Sequence, residues 1–303
     1  IVLLFWLVLS IASPAYSDIM KEVYPDGDRA KIMGFARVCT IGSYLLVTLA
    51  AGKLLEYVSY RYVFPVAAVF GVISALVFGR IHTKEATGER GVPLLQFLSE
   101  SVRLLWEDKG YLWFCTAVFI FGFGNFLATP AFNLYEIDVL NAHYFRQSIY
   151  AFIVSAVSAV SYFYWGSHID RRRPEIVIAW QIFAWAFIPV IYLFSTQWWM
   201  LIPAKVLAGV FGAGTDLCYF AGVMFFAPPG RVSQYYAVFL TLMGIRGITA
   251  PVLGGALLQW GVINTHWMFA IAAIIIFASV AVQIIGYRKY PKAGRAAAEA
   301  QET

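Results

Sequence analysis

Long runs of apolar residues follow one another along most of the chain and are separated by short polar segments. Crossing the roughly 30 Å hydrocarbon core of a bilayer takes about 20 helical residues. The runs are too long and too uniformly apolar for the alternating pattern of membrane β-strands. The pattern therefore predicts an all-α polytopic membrane protein with nine transmembrane helices, at about 1–20, 30–52, 62–81, 111–135, 145–166, 174–195, 198–226, 232–258 and 264–287.

The amino-acid composition also favours a membrane protein. Of the 303 residues, 61% are hydrophobic and 13% are charged, whereas a soluble domain has about 45–50% apolar and about 25% charged residues. The three cysteines, Cys39, Cys115 and Cys218, lie inside apolar runs at spacings that match no metal site or disulfide framework. We interpret them as packing residues and expect no metal and no cofactor.

Lysines and arginines are distributed unevenly between the two faces. Sixteen of the 22 lie in the loops at 21–31, 80–109, 171–173 and 231 and in the tail from 288, and three lie in loops on the other face, at Lys53, Arg61 and Arg146. Cytoplasmic loops carry the excess of basic residues, so the pattern predicts that the C-terminus is cytoplasmic. As the location we expect the plasma (inner) membrane. The net charge of +5 then reflects topology, and we expect no nucleic-acid partner.

A weak internal repeat has an offset of 203 residues. At this offset Pro25 aligns with Pro228, and GKLLEY from Gly52 aligns with GALLQW from Gly255. The first three apolar runs then correspond to the last three, and the repeat unit is six helices in parallel orientation, an architecture found in transporters. This predicts that three further helices precede Ile1, so that the nine runs are helices four to twelve of a twelve-helix protein.

Four charged residues lie inside apolar runs, where each costs roughly 2.5–3.5 kcal/mol on insertion scales. They are Arg37, Lys205, Asp216 and Arg246. Helical rise places Asp216 about 15 Å and Arg246 about 18 Å from the same face, which predicts that these two form an ion pair. The pair could simply fix helix packing, or the charges could contact substrate, with proton coupling through Asp216.

Uncharged polar residues form further candidates. Tyr44 lies on a stripe with Arg37, Thr40 and Thr48, and Asn125 and Asn133 lie in a run interrupted by Gly122, Gly124 and Pro130. Such an interrupted helix can expose backbone groups to a binding site, and hydrogen bonding between helices is the alternative. Tyr135, Glu136 and Asp138 are expected near the outer mouth, beyond that site.

A charged segment joins the fifth and sixth runs. It reads Gly166-Ser-His-Ile-Asp170-Arg171-Arg-Arg173, and its short connection makes the flanking helices antiparallel neighbours. The spacing resembles the G-x-x-x-D-R-x-G-R-R signature of the major facilitator superfamily, whose second copy joins helices eight and nine. The internal repeat also makes these two runs helices eight and nine. The resemblance implies a twelve-helix transporter and a role in the conformational switch for Gly166, Asp170, Arg171 and Arg173.

The repeat and the resemblance together predict the organisation of the chain. Residues 1–83 form a partial N-terminal bundle (helices four to six), 84–110 a cytoplasmic linker, 111–290 the C-terminal six-helix bundle (helices seven to twelve), and 291–303 a cytoplasmic tail. Within the linker, Leu95, Leu98, Val102 and Leu105 recur at helical spacing. This spacing predicts an amphipathic helix at the membrane surface.

The function expected from this reading is secondary or facilitative transport of a small-molecule substrate by alternating access, in a monomer embedded in the lipid bilayer. Three interior cations against one acid favour an organic anion or an amphipathic compound, with a proton or another ion as a candidate for coupling. A transport-inactive sensor on the same fold is one alternative. A membrane-embedded lipid-modifying enzyme is another, although the four histidines, His82, His143, His168 and His266, are scattered through loops on both faces.

Overall fold

The computed structural model describes residues 29–80, 103–169, 174–228 and 231–290, and every regular element in these ranges is helical. The predicted run at 1–20, most of the predicted linker, Asp170–Arg173 of the charged segment and the predicted tail lie outside the described residues. The chain divides into two compact units, Ile1–Gly91 and Val92–Thr303.

The first unit contributes two described helices. Helix α1 spans Arg29–Tyr57 and α2 spans Tyr60–Phe78. The short connection between them ends at Ser59, whose side chain accepts a hydrogen bond from the Arg61 amide at 3.4 Å. This serine caps the N-terminus of α2, where helical amides lack partners.

The second unit is a bundle of antiparallel membrane helices. Its elements are α3 (Lys109–Leu134), a π-helical turn (Tyr135–Val139), α4 (Tyr144–Ile169), α5 (Pro174–Trp185), α6 (Phe187–Phe194), a 3₁₀ turn (Trp198–Leu201), α7 (Ile202–Phe226), α8 (Val232–Gln259) and α9 (Thr265–Lys289). Eight helical stretches in the described residues are long and apolar enough to cross a membrane. They coincide with the last eight predicted runs, and α5 and α6 together form one of them.

The break between α5 and α6 follows from the local sequence. Pro189 lies in the first turn of α6, and proline has no amide hydrogen to donate to the carbonyl four residues earlier. That carbonyl belongs to Trp185, where α5 ends. The proline is therefore accommodated at a helix boundary within one membrane span.

The helix boundaries follow the internal repeat. Helix α1 ends at Tyr57 and α8 ends at Gln259, 202 residues later, which is close to the 203-residue offset of the sequence repeat. Helices α2 and α9 follow them in the corresponding order. The repeat predicted from sequence is thus also a repeat of helical elements.

Glycines allow the closest helix crossings in the second unit. Helix α3 packs against α8 and α9, while α7 packs against α4 and α5. A Cβ on Gly254 of α8 would lie 2.0 Å from the Leu127 carbonyl oxygen of α3, and one on Gly209 of α7 would lie 2.8 Å from the Val154 carbonyl oxygen of α4. Small residues let helix backbones approach closely in membranes, and here they set the spacing of these two pairs.

Two apolar clusters occupy the two ends of the bundle. The motif end is where α4 ends at Ile169 and α5 begins at Pro174, and its buried cluster includes Phe114, Ile178 and Phe239. The opposite end, where α3 ends and α7 begins, has a cluster built on buried residues such as Tyr135, Tyr192 and Phe269. The polar groups described next lie between and within these clusters.

Candidate functional site

Arg246 of α8 is buried inside the second unit, with 5% of its surface exposed. Its Nη1 donates a hydrogen bond to the Val118 carbonyl of α3, and its Nη2 donates to the Tyr219 hydroxyl at 3.4 Å. The guanidinium carbon lies 5.5 Å from the centre of the Phe126 ring and 5.8 Å from that of Tyr219. Aromatic faces of this kind attract a cation, so α3, α7 and α8 together hold the charge.

Gly122 makes room for this guanidinium. A Cβ at that position would lie 1.9 Å from Nη1 and 2.0 Å from Cζ of Arg246. The sequence indicated Gly122 only as an interruption of its helix. In the structure it remains helical within α3, and its missing side chain lets the arginine lie against the helix backbone.

Asp216 is exposed on α7 and accepts a hydrogen bond from the Tyr162 hydroxyl of α4 at 3.0 Å. The predicted Asp216–Arg246 ion pair is wrong, because no such pair forms within the described ranges. Arg246 instead turns towards α3 and contacts Tyr219, which lies three residues beyond Asp216 on α7. The two charges are therefore held by different tyrosines.

These four side chains form what we call the inner band: Tyr162, Asp216, Tyr219 and Arg246. They belong to α4, α7 and α8, and each lies at least seven residues from either end of its helix. The band combines an exposed carboxylate with a buried guanidinium. The inner band is therefore a group of polar side chains in the interior of helices that are otherwise strongly apolar.

The two predicted asparagines have different environments. Asn125 Oδ1 accepts a hydrogen bond from the Trp185 indole nitrogen at 3.1 Å, which joins α3 to α5. Asn133 is exposed on α3. For Asn125, the structure supplies the hydrogen bond between helices that was the alternative to a binding role.

Lys205 of α7 forms a largely buried ion pair with Glu136. The Lys205 Nζ lies 2.6 Å from the Glu136 carboxylate, and the two side chains are 17% and 4% exposed. Glu136 also accepts a hydrogen bond from the Tyr192 hydroxyl. The ammonium lies 4.7 Å from the centre of the Tyr150 ring and 5.7 Å from that of Tyr192. We call these four residues the opposite-end cluster.

Glu136 was not selected as a site residue from the sequence, because its position at the end of an apolar run favoured an exposed location. It lies in the π-helical turn that continues α3, and it is buried. The sequence did contain a signal for this pairing. Lys205 lies near the start of its helix, at the same end of the bundle as Glu136, and charged residues inside apolar helices are almost always paired.

The remaining predicted site residues lie in or near undescribed segments. Arg37 lies within α1, but its side chain is outside the described residues, whereas Tyr44 is exposed on the same helix. Gly166 lies in α4 with open space around it. The rest of the switch motif, Asp170, Arg171 and Arg173, lies outside the described residues, so its predicted role stays a prediction.

Comparisons with known proteins agree with this architecture. The chain is similar to the crystal structure of a bacterial homologue of the human lysosomal transporter Spinster, in an inward-facing and unoccupied conformation. The TM-score is 0.55 at 16% identity, over 93% of this chain and 74% of that one, so the likeness concerns the fold. No curated protein matches the chain.

The sequence model of the Major Facilitator Superfamily matches the chain twice, over residues 1–182 and 114–303. The two matches overlap at residues 114–182 and together extend over the whole chain. With the eight membrane-spanning helical stretches, this makes the chain an integral multi-pass membrane protein. The chain belongs to the Major Facilitator Superfamily.

Proposed function

We propose that this protein moves a small solute across a membrane by alternating access, and that the inner band contributes to the solute path. Membership of the family and the fold shared with a transporter support membrane solute transport. We further propose that the motif end faces the cytoplasm. This orientation rests on the concentration of lysines and arginines in the loops at that end.

The observation that carries the proposed path is the exposed Asp216. It lies ten residues before Phe226, the end of α7, and therefore about 15 Å along the helix. A carboxylate at such a depth costs roughly 2.5–3.5 kcal/mol on insertion scales if it faces lipid. The face of α7 that carries Asp216, with the Tyr162 hydroxyl beside it, is therefore best accounted for by a water-filled path.

The proposed substrate class is an organic anion or an amphipathic compound. The structure changes the basis of this proposal, because Glu136 neutralises Lys205. The cations that still favour an anion are Arg37 and Arg246. Within the described residues, Arg246 forms no ion pair with an acid, so its charge is not neutralised there and its electrostatic potential still favours an anion.

Proton coupling is assigned to Asp216 in this proposal. An exposed carboxylate beside a water-filled path can exchange its proton with either side as the path opens alternately. The Tyr162 hydroxyl donates a hydrogen bond to the carboxylate at 3.0 Å and positions it. Substrate binding that favours one protonation state would then couple the two fluxes.

The test is flux through the full-length protein in proteoliposomes. Radiolabelled carboxylates, phosphate esters and amphipathic anions are supplied outside, with and without an imposed pH gradient. We expect time-dependent uptake of members of one class, which a pH gradient increases. A protein that is folded in the vesicles and carries none of these solutes under either condition would contradict the proposal and favour a sensor on the same fold.

A further inference from the structure

The break between α5 and α6 is attached to α3 through Trp185, the residue at which α5 ends. The Trp185 indole nitrogen donates a hydrogen bond to Asn125 Oδ1 at 3.1 Å. Its ring meets the Phe121 ring edge to face, with the ring centres 5.8 Å apart. Phe121 and Asn125 are about one helical turn apart on α3, so the indole spans that turn.

Arg246 contacts the same part of α3 from a second direction. Its guanidinium lies against Gly122, and its Cζ is 5.5 Å from the centre of the Phe126 ring. Each of these two residues directly follows one that Trp185 contacts, and successive helical residues point about 100° apart. A change in the contacts of Arg246 can therefore displace α3 at the point where Trp185 is attached.

The far end of α6 is attached to the π-helical turn that continues α3. The Tyr192 hydroxyl donates a hydrogen bond to the Glu136 carboxylate, and the Tyr192 ring centre lies 4.5 Å from that of Phe132. The carbonyl of Ser195, the residue that follows α6, accepts a hydrogen bond from the Tyr135 hydroxyl at 2.7 Å. Helix α6 thus joins the part of α3 beside the inner band to the opposite-end cluster.

The chain is suited to bending at the start of α6, because helix kinks occur at proline. Pro189 has no amide hydrogen for the Trp185 carbonyl, so one hydrogen bond of a continuous helix is missing there. Tyr192 lies seven residues beyond Trp185, or about 10 Å along the helix. A small rotation at Trp185 therefore moves the Tyr192 hydroxyl relative to the Glu136 carboxylate, and a hydrogen bond is sensitive to such a displacement.

We propose that α6 is a lever, pivoting at Trp185, through which the inner band controls the contact between Tyr192 and Glu136 at the opposite end. The inference rests on the proposed function, since it concerns the regulation of that path. When solute or a proton changes the contacts of Arg246 with α3, Trp185 follows α3, and α6 turns at Pro189. The Tyr192 hydroxyl then leaves the carboxylate, and the opposite end loosens.

The first experiment measures amide hydrogen exchange of the full-length protein in nanodiscs. Tyr192→Phe keeps the ring against Phe132 and removes the hydroxyl. We expect amides of α6 and of the π-helical turn to exchange about tenfold faster, while those of α5, before the pivot, stay unchanged. Tyr144→Phe, at an exposed position at the same end of the bundle, is the matched control. Unchanged exchange in α6, or equal acceleration in α5 and α6, would overturn the proposal.

A double-variant cycle tests whether the inner band acts on α6 through Trp185. Arg246→Lys keeps the charge but loses the planar guanidinium, and we expect it to accelerate exchange in α6 about threefold. In a Trp185→Phe background, which lacks the indole donor to Asn125, the same change should leave α6 unaffected. The same effect in both backgrounds, or in neither, would overturn the proposal. If Arg246→Lys does not fold, Gly122→Ala displaces the guanidinium instead.

A flux experiment connects the lever to transport. Pro189→Ala supplies an amide hydrogen for the Trp185 carbonyl and stiffens the pivot, so exchange of whichever labelled carboxylate, phosphate ester or amphipathic anion the wild type carries should slow about three- to tenfold, with unchanged half-saturation. Pro203→Ala, in the first turn of α7, is the control, because amides there lack a helical partner. A wild-type rate in Pro189→Ala would overturn the proposal. A wild type without flux would defeat the proposed function, whereas the hydrogen-exchange experiments would still decide on the lever.

Discussion

The Lys205 ammonium lies 2.6 Å from the Glu136 carboxylate, and the two side chains are 17% and 4% exposed. The contact joins α7 to the π-helical turn after α3, and the Tyr192 hydroxyl joins α6 to the same carboxylate. One acid therefore connects three parts of the opposite end: the π-helical turn, α6 and α7. Since both charges are removed from solvent, the cost of losing one partner exceeds the strength of the pair itself.

Replacing either partner alone should destabilise the second unit. Lys205→Met leaves the Glu136 carboxylate buried beside two tyrosines, and we expect a loss of about 3–5 kcal/mol in the free energy of unfolding. Glu136→Gln should cost a similar amount, because the ammonium loses its anion. Thermal unfolding of the purified protein in detergent measures both.

The double variant provides the control for this pair. Lys205→Met combined with Glu136→Leu removes both charges, and we expect it to recover most of the stability lost in the single variants. Losses that simply add would show that the two groups do not act as a pair.

Gly122→Ala should destabilise the contact between α3 and α8. The added methyl would lie 1.9 Å from Arg246 Nη1. The guanidinium could move aside only by giving up its hydrogen bonds to Val118 and Tyr219, so we expect a cost of about 1–3 kcal/mol. Gly244→Ala in α8, where nothing lies within 4 Å of the added carbon, is the matched control and should be neutral or slightly stabilising. In the double variant Gly122→Ala, Arg246→Ala, the clash is removed, so the loss of stability should be smaller than the sum of the two single losses. Single losses that add in full would contradict the clash.

The membrane spans could be predicted from sequence because span length and apolar composition are local properties. The capped start of α9, where Asn264 accepts from the Trp267 amide at 2.9 Å, is equally local. The surroundings of Arg246 could not be predicted, because they depend on how α8 is rotated against Gly122, which is more than a hundred residues away in sequence. The depth of a residue along its helix could be predicted from sequence, but the direction in which its side chain points around the helix could not.

The partner of Lys205 shows the same limit. The sequence placed Lys205 inside an apolar run but indicated no partner for it, and Glu136 is 69 residues away in sequence. Glu136 and Asp138 were both expected near the outer mouth, and only the packing of α3 against its neighbours determines that Glu136 is the buried one. The predicted pairing of Asp216 with Arg246 was wrong for the same reason, since similar depth does not ensure contact.

Asp216→Asn tests the proposed proton coupling. The amide cannot release a proton, so we expect uptake driven by a pH gradient to fall to the level of the empty vesicle. Exchange of labelled for unlabelled solute without a gradient should persist, because binding and alternating access remain possible. Both are measured in the same proteoliposomes.

Asp138→Asn is the matched control for this variant. It changes another exposed aspartate, which lies in the π-helical turn at the end of α3 instead of the middle of a span. It should leave both measurements unchanged. Gradient-driven accumulation by Asp216→Asn at the wild-type rate would exclude Asp216 from coupling, although it would leave transport itself unaffected.

Gln181→Leu should stabilise the second unit. Gln181 is fully buried in α5, and among the described residues its side-chain amide meets only the thiol of Cys218, a weak hydrogen-bonding group, and no oxygen or nitrogen partner. Replacing an unsatisfied buried amide by an apolar side chain of similar size should raise the free energy of unfolding by about 1–3 kcal/mol. Gln197→Leu, at an exposed position before the 3₁₀ turn, should change it by less than about 0.5 kcal/mol. A loss of stability in Gln181→Leu would mean that the amide has a partner in the membrane, such as a bound water, and that its polarity is required where α5 meets Gly214 of α7.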